Sequence, residues 1–484
     1  MRWIEIVVVV ANLVILGWMI VQRNKTMKLL VLLSCASAVL LIAQLFGEGY
    51  RWQMVPVYGI TLMLLVSIWK QHKVPRGAEK GQNFGRVLTI AGIVLYALIA
   101  AALPFVMPVF AFEAPTGPYA IGTATYHWVD SNRKEIYTKD PGDHRELMVQ
   151  LWYPTQQGVR GTPVSYLPDS ERYRKAICKE FGLPDFVLSY MDLVKTHAIA
   201  DMPVASAEKA YPVIIFSPSN GGTRFQNTFQ AEELASHGYI VVGVEHTYHS
   251  LATVFPDGRI IGFYRMNMLS FQVMDQDMKQ VIVKDIQFVL DQIEQLNRND
   301  VSGRLTGKFD LSRIGMMGHS FGGAATTQML LQDARVKAGI NMDGTFFGDV
   351  PEMGITKPFM LMSSESSEKS ESEQPTQEQL DKYEFTRQQF EQIVKEGTAR
   401  KKNALANGGY HVTLKHTVHY SYSDFYLYSP IVQWMDGVDP RRAHRIINDY
   451  TLAFFNQYLK GNPSPLLNGK TDKYAHAPFK HDEE

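Results

Sequence analysis

The chain has little cysteine, no excess of either charge sign and, over its first 110 residues, very little charge outside short connecting loops. Only Cys35 and Cys178 occur among 484 residues. Cys35 falls inside an apolar run, so no disulfide framework exists and a small disulfide-stapled scaffold is excluded. Lys plus Arg and Asp plus Glu both number 48, which leaves no bulk charge to draw the chain to nucleic acid. No internal repeat is present, which excludes a solenoid. A hydrophobic content of 46% is ordinary for a globular chain. The length is not, since domains usually run to about 100 to 250 residues, and at least two units are expected.

What is present in the first 110 residues is four apolar segments, Ile4 to Val21, Leu29 to Phe46, Met54 to Trp69 and Val87 to Phe110. Each approaches the roughly 17 to 25 residues that a spanning helix requires. Four in succession exclude a simple cleaved signal peptide. Glu5, Asn12 and Gln44 are the strongly polar interruptions, with Glu5 at an end from which it can reach the headgroups. Basic residues gather in the first loop (Arg23, Lys25, Lys28) and the third (Lys70, Lys73, Arg76, Lys80, Arg86), whereas the second offers Arg51. Basic loops stay on the cytoplasmic side. The expectation is therefore a multi-pass cell-membrane protein whose residues 1–112 form a four-helix transmembrane bundle, with everything after it extracytoplasmic. Charges inside the bundle that would mark an ion path are missing, so anchoring is the expected role.

From residue 113 the pattern changes to short apolar runs alternating with helical stretches. "EAPTGPYAIGTATYHWVD" and "RELMVQLWYPT" read as an aromatic-rich strand hairpin. "YPVIIFS", "YIVVGVEH", "SRIGMMGHS", "VKAGINMDG", "KPFMLMSSE" and "HVTLK" read as buried strands, separated by helices that include Val273 to Gln295 and a closing "RIINDYTLAFFNQYLKG". Such alternation specifies a mostly parallel, doubly wound α/β sheet over residues 113–484. Two insertions interrupt it. Residues 161–206 carry Phe181, Phe186, Val187, Leu188 and Tyr190, apolar enough to cover a site and meet lipid. Residues 366–405 begin as a polar loop and continue as a helix from Thr376 with Leu380, Tyr383, Phe390 and Ile393 on one face.

Gly318-His319-Ser320-Phe321-Gly322 fits G-x-S-x-G, with a strand before it and Gly322, Gly323 and Ala324 opening a helix after it. Small neighbours let a strand turn sharply into a helix and leave the serine exposed at the bend. A serine hydroxyl is a poor nucleophile at neutral pH, so a histidine base and an orienting carboxylate are needed, in the chain order Ser, acid, His. His411 begins a strand, His444 lies near the final helix, and His476 and His481 are in the tail. His416 and His419 both fall in the loop after the last strand. Asp343 and Glu365 each end a strand after the serine. Pattern alone chooses within neither pair. "EHTYH" and "HTVH" do not match the helical H-E-x-x-H arrangement, so no metal and no cofactor is expected.

From about Pro115 to Gly461 the chain resembles the platelet-activating factor acetylhydrolase family, plasma and intracellular type II, of α/β-hydrolase fold. The segments that carry the likeness are "PTGPYAIG", "YPVIIFS", "ELASHGYIVVGVEH", "FDLSRIGMMGHSFGGA", "INMDG" and "VHYSYSDF". The resemblance implies that the acid is Asp343, in the "MDG" segment, and that the base is His419. It implies an oxyanion hole built from the backbone amides of Phe321 and Asn220. There the chain departs from the family's His-Gly pair, carrying Pro218-Ser219 before Asn220, Gly221 and Gly222. The implied activity is serine carboxylic-ester hydrolysis through an acyl-enzyme, on short-acyl phospholipids or related lipid esters. The alternatives are a general esterase or polyester hydrolase, and a membrane sensing or transport protein whose hydrolase-like domain only binds ligand.

Overall fold

The structure, a computed structural model, describes residues 1–21, 27–73, 83–264, 270–350, 354–372, 376–377, 380, 386–468, 474 and 479–481. Arg23, Lys25, Arg76, Lys80, Tyr383 and His476, named above, lie outside them. Contacts divide the chain into two compact units. One comprises Met1–Phe110 with Pro184–Val194 and Leu427–Val432; the other holds Ala111–Leu183, Lys195–Tyr426 and Gln433–Glu484.

The first unit contains four helices, α1 (Trp3–Val21), α2 (Met27–Gly47), α3 (Val55–Lys73) and α4 (Asn83–Val106). Four stretches, Trp3–Val21, Met27–Gly47, Trp52–Trp69 and Val87–Val106, are long and apolar enough to cross a membrane. Polar side chains inside such a bundle gain most by bonding one another, and here they do. Asn12 of α1 donates to Thr61 Oγ1 of α3 at 2.8 Å and accepts from Ser37 of α2 at 2.5 Å. Glu5 does not reach outward as the sequence suggested. It is fully buried and accepts from Arg51 Nε at 2.7 Å and Arg51 Nη2 at 2.8 Å. Arg51 also donates to Pro104 O and Met107 O, carbonyls that the end of α4 leaves without helical donors. One buried guanidinium thus ties three parts of the bundle together. The segment Pro184–Val194 joins this unit through Trp52, whose indole donates to Val187 O at 3.1 Å and meets Phe186 edge-on at 5.3 Å.

The second unit is built on one sheet. Its strands are β1 (Ala120–Lys134), β2 (His144–Thr155), β3 (Pro163–Ser165), β4 (Lys195–Ala200), β5 (Tyr211–Ser217), β6 (Ile240–Glu245), β9 (Phe309–His319), β10 (Val336–Met342), β11 (Phe359–Ser364), β12 (Tyr410–Leu414) and β13 (Phe479–His481). A separate two-stranded ribbon holds β7 (Ala252–Val254) and β8 (Ile260–Gly262). The order is β13-β12-β11-β10-β9-β5-β6-β2-β1-β4-β3. From β12 to β6 every pair is parallel, and β1 and β2 form the antiparallel hairpin read from the sequence. Every residue of β5 and β6 is buried, as expected of parallel strands covered on both faces. The helix read as Val273 to Gln295 runs from Phe271 to Arg298 with a π-helical turn at Met278–Ile282. The closing helix, Pro440–Lys460, starts at Asp439, whose carboxylate accepts from the Arg441 and Arg442 amides, and stops at Gly461 with φ 72°, a left-handed conformation that glycine adopts without steric cost.

Candidate active site

Four parallel strands deliver the candidate residues to one edge of the sheet. Ser320 follows β9, Asp343 follows β10, His419 lies beyond β12, and the turn Ser219–Gly222 follows β5. Ser320 has φ 57° and ψ −118°, a backbone state rare for a residue with a side chain and typical of a strained functional turn. Its neighbours explain the glycines. A Cβ on Gly318 would collide with the Gly322 carbonyl, and one on Gly322 would collide with the Ser217 carbonyl.

Ser320 Oγ lies 3.0 Å from His419 Nε2, and His419 Nδ1 lies 2.8 Å from Asp343 Oδ2. Asp343 also accepts from the Ser364 amide at 2.7 Å, the Ser364 hydroxyl at 2.9 Å and the Ser367 hydroxyl at 2.8 Å. Burial by itself would raise the Asp343 carboxyl; the hydrogen bond and charge of His419, with the Ser364 and Ser367 donors, outweigh it and hold the carboxyl below its ordinary range. An ionised acceptor at Nδ1 fixes the proton there and leaves Nε2 as the acceptor facing the serine hydroxyl. Glu365, the rival acid, turns away and accepts from the His416 amide at 2.7 Å. His416 is 70% exposed. His411 bonds Ser363 and Glu368, and His444 stacks on Phe229 at 3.7 Å. Of the histidines after the serine, His419 is the one that reaches it among the described residues.

At the turn after β5 the Gly221 amide donates to His249 O, the Gly222 amide to Ser219 O and the Ser219 amide to Gln226 Oε1. Asn220 sits between these committed amides, and Phe321 is the first residue of the helix after Ser320, where amides lack helical acceptors. A cavity of about 280 Å³ adjoins Asp343 and His419. Phe271, Phe346, Phe390, Ile393 and Val394 form its apolar wall. The helix of the second insertion, Arg387–Leu405, contributes here, whereas no residue of 161–206 does. Among the described residues no cluster of three or more His, Cys, Asp or Glu could hold a metal ion.

Some organising residues escaped the sequence reading. Asp424 holds the base loop to the helix Thr228–Ser236, its carboxyl accepting the Thr228 amide at 2.9 Å and the Phe229 amide at 3.3 Å. Asn227 donates to Tyr422 O at 2.6 Å. A second Ser-His-Asp chain also exists: His246 lies 3.0 Å from Ser217 Oγ and 2.9 Å from Asp285 Oδ2. Asp285 is already paired with Arg145 and Arg133. His246 is 3% exposed against 36% for His419, so substrate could reach only the Ser320 set.

The model of the platelet-activating factor acetylhydrolase, isoform II, family matches residues 107–464. An Arthroderma benhamiae protein named "Probable 1-alkyl-2-acetylglycerophosphocholine esterase" is 27% identical over 55% of this chain and 68% of its own. The platelet-activating factor acetylhydrolase of Cavia porcellus is 26% identical over 71% of this chain and 77% of its own. Among solved structures, a ferulic acid esterase from Streptomyces cinnamoneus superposes with a TM-score of 0.58 at 28% identity, covering 78% of this chain and all of that one. An α/β-hydrolase-like sheet preceded by apolar helices therefore accounts for the architecture, and by the extent of the family match the chain belongs to the platelet-activating factor acetylhydrolase, isoform II, family of carboxylic ester hydrolases.

Proposed function

We propose that this protein is a membrane-anchored serine esterase that works through an acyl-enzyme on short-acyl lipid esters. The observation that carries the reading is the continuous chain from Ser320 through His419 to Asp343, at 3.0 and 2.8 Å. In the proposed mechanism Ser320 Oγ attacks the ester carbonyl as its proton passes to His419 Nε2, and Asp343 stabilises the imidazolium. The Phe321 and Asn220 amides receive the oxyanion. His419 then gives its proton to the departing alcohol oxygen, leaving Ser320 acylated. Water, deprotonated by the same imidazole, attacks the acyl carbon and releases the acid.

The relatives named for 1-alkyl-2-acetylglycerophosphocholine and platelet-activating factor support an acetylated phospholipid as substrate. The four apolar stretches support residence in the membrane where such esters concentrate. The basic residues of the first and third loops support an extracytoplasmic catalytic domain. A second reading, an ester of an aromatic acid, is favoured by the Phe271, Phe346 and Phe390 wall of the cavity beside His419. Purified full-length protein given acetylated phospholipid, the long-acyl counterpart and a feruloyl ester separates the readings. Preference for the acetylated lipid supports the first, preference for the feruloyl ester replaces it with the second, and failure to react with a fluorophosphonate probe removes both.

A further inference from the structure

The residue preceding the candidate nucleophile does more than fill the turn. His319 is fully buried, and both of its ring nitrogens are engaged. Nε2 lies 2.9 Å from His419 O, an atom that can only accept, so Nε2 carries the proton. Nδ1, left as an acceptor, lies 2.7 Å from Gln226 Nε2. The other end of that amide, Oε1, accepts from the Ser219 amide at 3.1 Å and the Ser219 hydroxyl at 2.7 Å. One unbroken hydrogen-bonded chain therefore runs from the turn after β5, through Gln226 and His319, to the backbone of the base. Every donor in it meets an acceptor, and reversing either the amide or the imidazole would break two contacts at once.

We propose that Gln226 and His319 are positioning residues that hold the oxyanion turn and the His419 backbone in mutual register for ester hydrolysis. The inference rests on the reading of Ser320 and His419 as nucleophile and base. Oxyanion donors act only when fixed where the negative charge will develop, and a base must keep hydrogen-bond reach of the serine throughout. The Asp424 and Asn227 contacts tie the start of the helix Thr228–Ser236, next in the chain after Gln226, to Tyr422 and Asp424 of the base loop. The Gln226–His319 chain is the clamp nearest the reacting atoms. Burial first, and the charge of nearby His419 second, lower the His319 pKa to about 3, so the ring stays neutral and its proton stays on the nitrogen that faces His419 O.

An isosteric substitution separates positioning from packing. In Gln226→Glu the shape is kept and Oε1 can still accept from Ser219, but an oxygen replaces the donor facing Nδ1. With the carboxyl ionised, His319 must carry a proton on Nδ1, and either loses its donation to His419 O or becomes an imidazolium; with the carboxyl protonated, its O–H donates to Nδ1 and the chain is kept. The groups facing His319 are His419, at 4.7 Å between ring centroids, Tyr422 at 6.0 Å, and the Asp343 carboxylate through its charge. A cation there would disfavour the imidazolium that His419 must become. The experiment is steady-state hydrolysis of p-nitrophenyl acetate across pH by full-length wild type, Gln226→Glu, Gln226→Met and the milder Ser219→Ala, alongside melting temperatures. Mispositioning one part of an oxyanion and base constellation is expected to lower kcat of both Gln226 variants by about 10 to 100-fold, with KM within about threefold. Gln226→Glu should add an ionisation to the kcat profile that Gln226→Met lacks, and Ser219→Ala should lose kcat in the same direction, by less. Unchanged kcat in Gln226→Met, or losses of kcat that track the melting temperature with identical pH profiles in the two Gln226 variants, would overturn the inference. A Ser320→Ala protein that still hydrolyses the ester would instead overturn the reading beneath it.

Discussion

Replacing Asp343 by asparagine removes one oxygen and adds one hydrogen-bond donor, and the surroundings dictate where that donor goes. Oδ1 accepts from the Ser364 amide, a partner that can only donate, so the remaining carbonyl oxygen of an asparagine is held at that position. The new NH₂ must occupy the position of Oδ2, which now faces His419 Nδ1 and the Ser364 and Ser367 hydroxyls. The hydroxyls can rotate to accept. The imidazole can accept only by moving its proton to Nε2, the nitrogen that faces Ser320, and in that tautomer it cannot take the serine proton. Folding should therefore change little while turnover falls by about 10⁴, equivalent to about 5.4 kcal/mol of transition-state stabilisation. The assay is kcat/KM on a small soluble ester, normalised by active-site titration, with Glu365→Gln as the comparison. Because Glu365 meets the His416 amide and ring and Lys369, none of them in the Ser320–His419–Asp343 chain, its neutralisation should stay within about threefold of wild type, as surface changes away from a site do. Loss of turnover in Glu365→Gln with activity retained in Asp343→Asn would refute the reasoning.

Three further outcomes follow from other parts of the chain. Burial holds the His319 and His444 pKa values down to about 3 and about 4, below the ordinary value of about 6.5. Their contribution to stability is therefore complete above about pH 6.5 and is lost as pH falls through those folded values, so denaturant titrations should show a decline on the order of a few kcal/mol across that window, and a catalytic unit equally stable at pH 6.5 and pH 4 would contradict it. Arg51→Leu leaves the buried Glu5 carboxylate with Arg2 as its remaining cation and strips the Pro104 and Met107 carbonyls of their donor, and resistance to unfolding in detergent should fall by about 1 to 3 kcal/mol, with wild-type resistance as the contrary result. Protease added to intact cells should release the catalytic unit by cutting near Glu113; protection until lysis would reverse the proposed orientation.

The alternation of buried strands and helices was legible because each β5- or β6-like run is apolar throughout and ends in turn-forming residues. Ser320 was legible because its turn needs glycine on both sides, a requirement written into neighbouring positions. The choices of Asp343 over Glu365 and His419 over His416 were not local, since each pair consists of similar residues at similar strand ends; family likeness proposed them, and only three-dimensional geometry brings one of each pair within hydrogen-bond range of the other. Long-range pairing hid the rest. Glu5 looked like a headgroup-facing carboxylate because its partner Arg51 lies 46 residues away. His319 looked like a spacer in G-x-S-x-G because its partners are 93 and 100 residues distant. The apolar 161–206 insertion was expected to cover the substrate pocket and meet lipid; its Phe181 and Phe186 are 63% and 54% exposed and its Tyr190 is buried, and the wall of the cavity beside the base comes from the second insertion.

The central claim is that Ser320 forms the covalent intermediate. Full-length protein treated with a fluorophosphonate, digested and mapped by mass spectrometry should carry the phosphonyl adduct on Ser320 alone, and Ser320→Ala, with its melting temperature unchanged, should carry none. An adduct on another residue, or undiminished labelling of Ser320→Ala, would contradict the account.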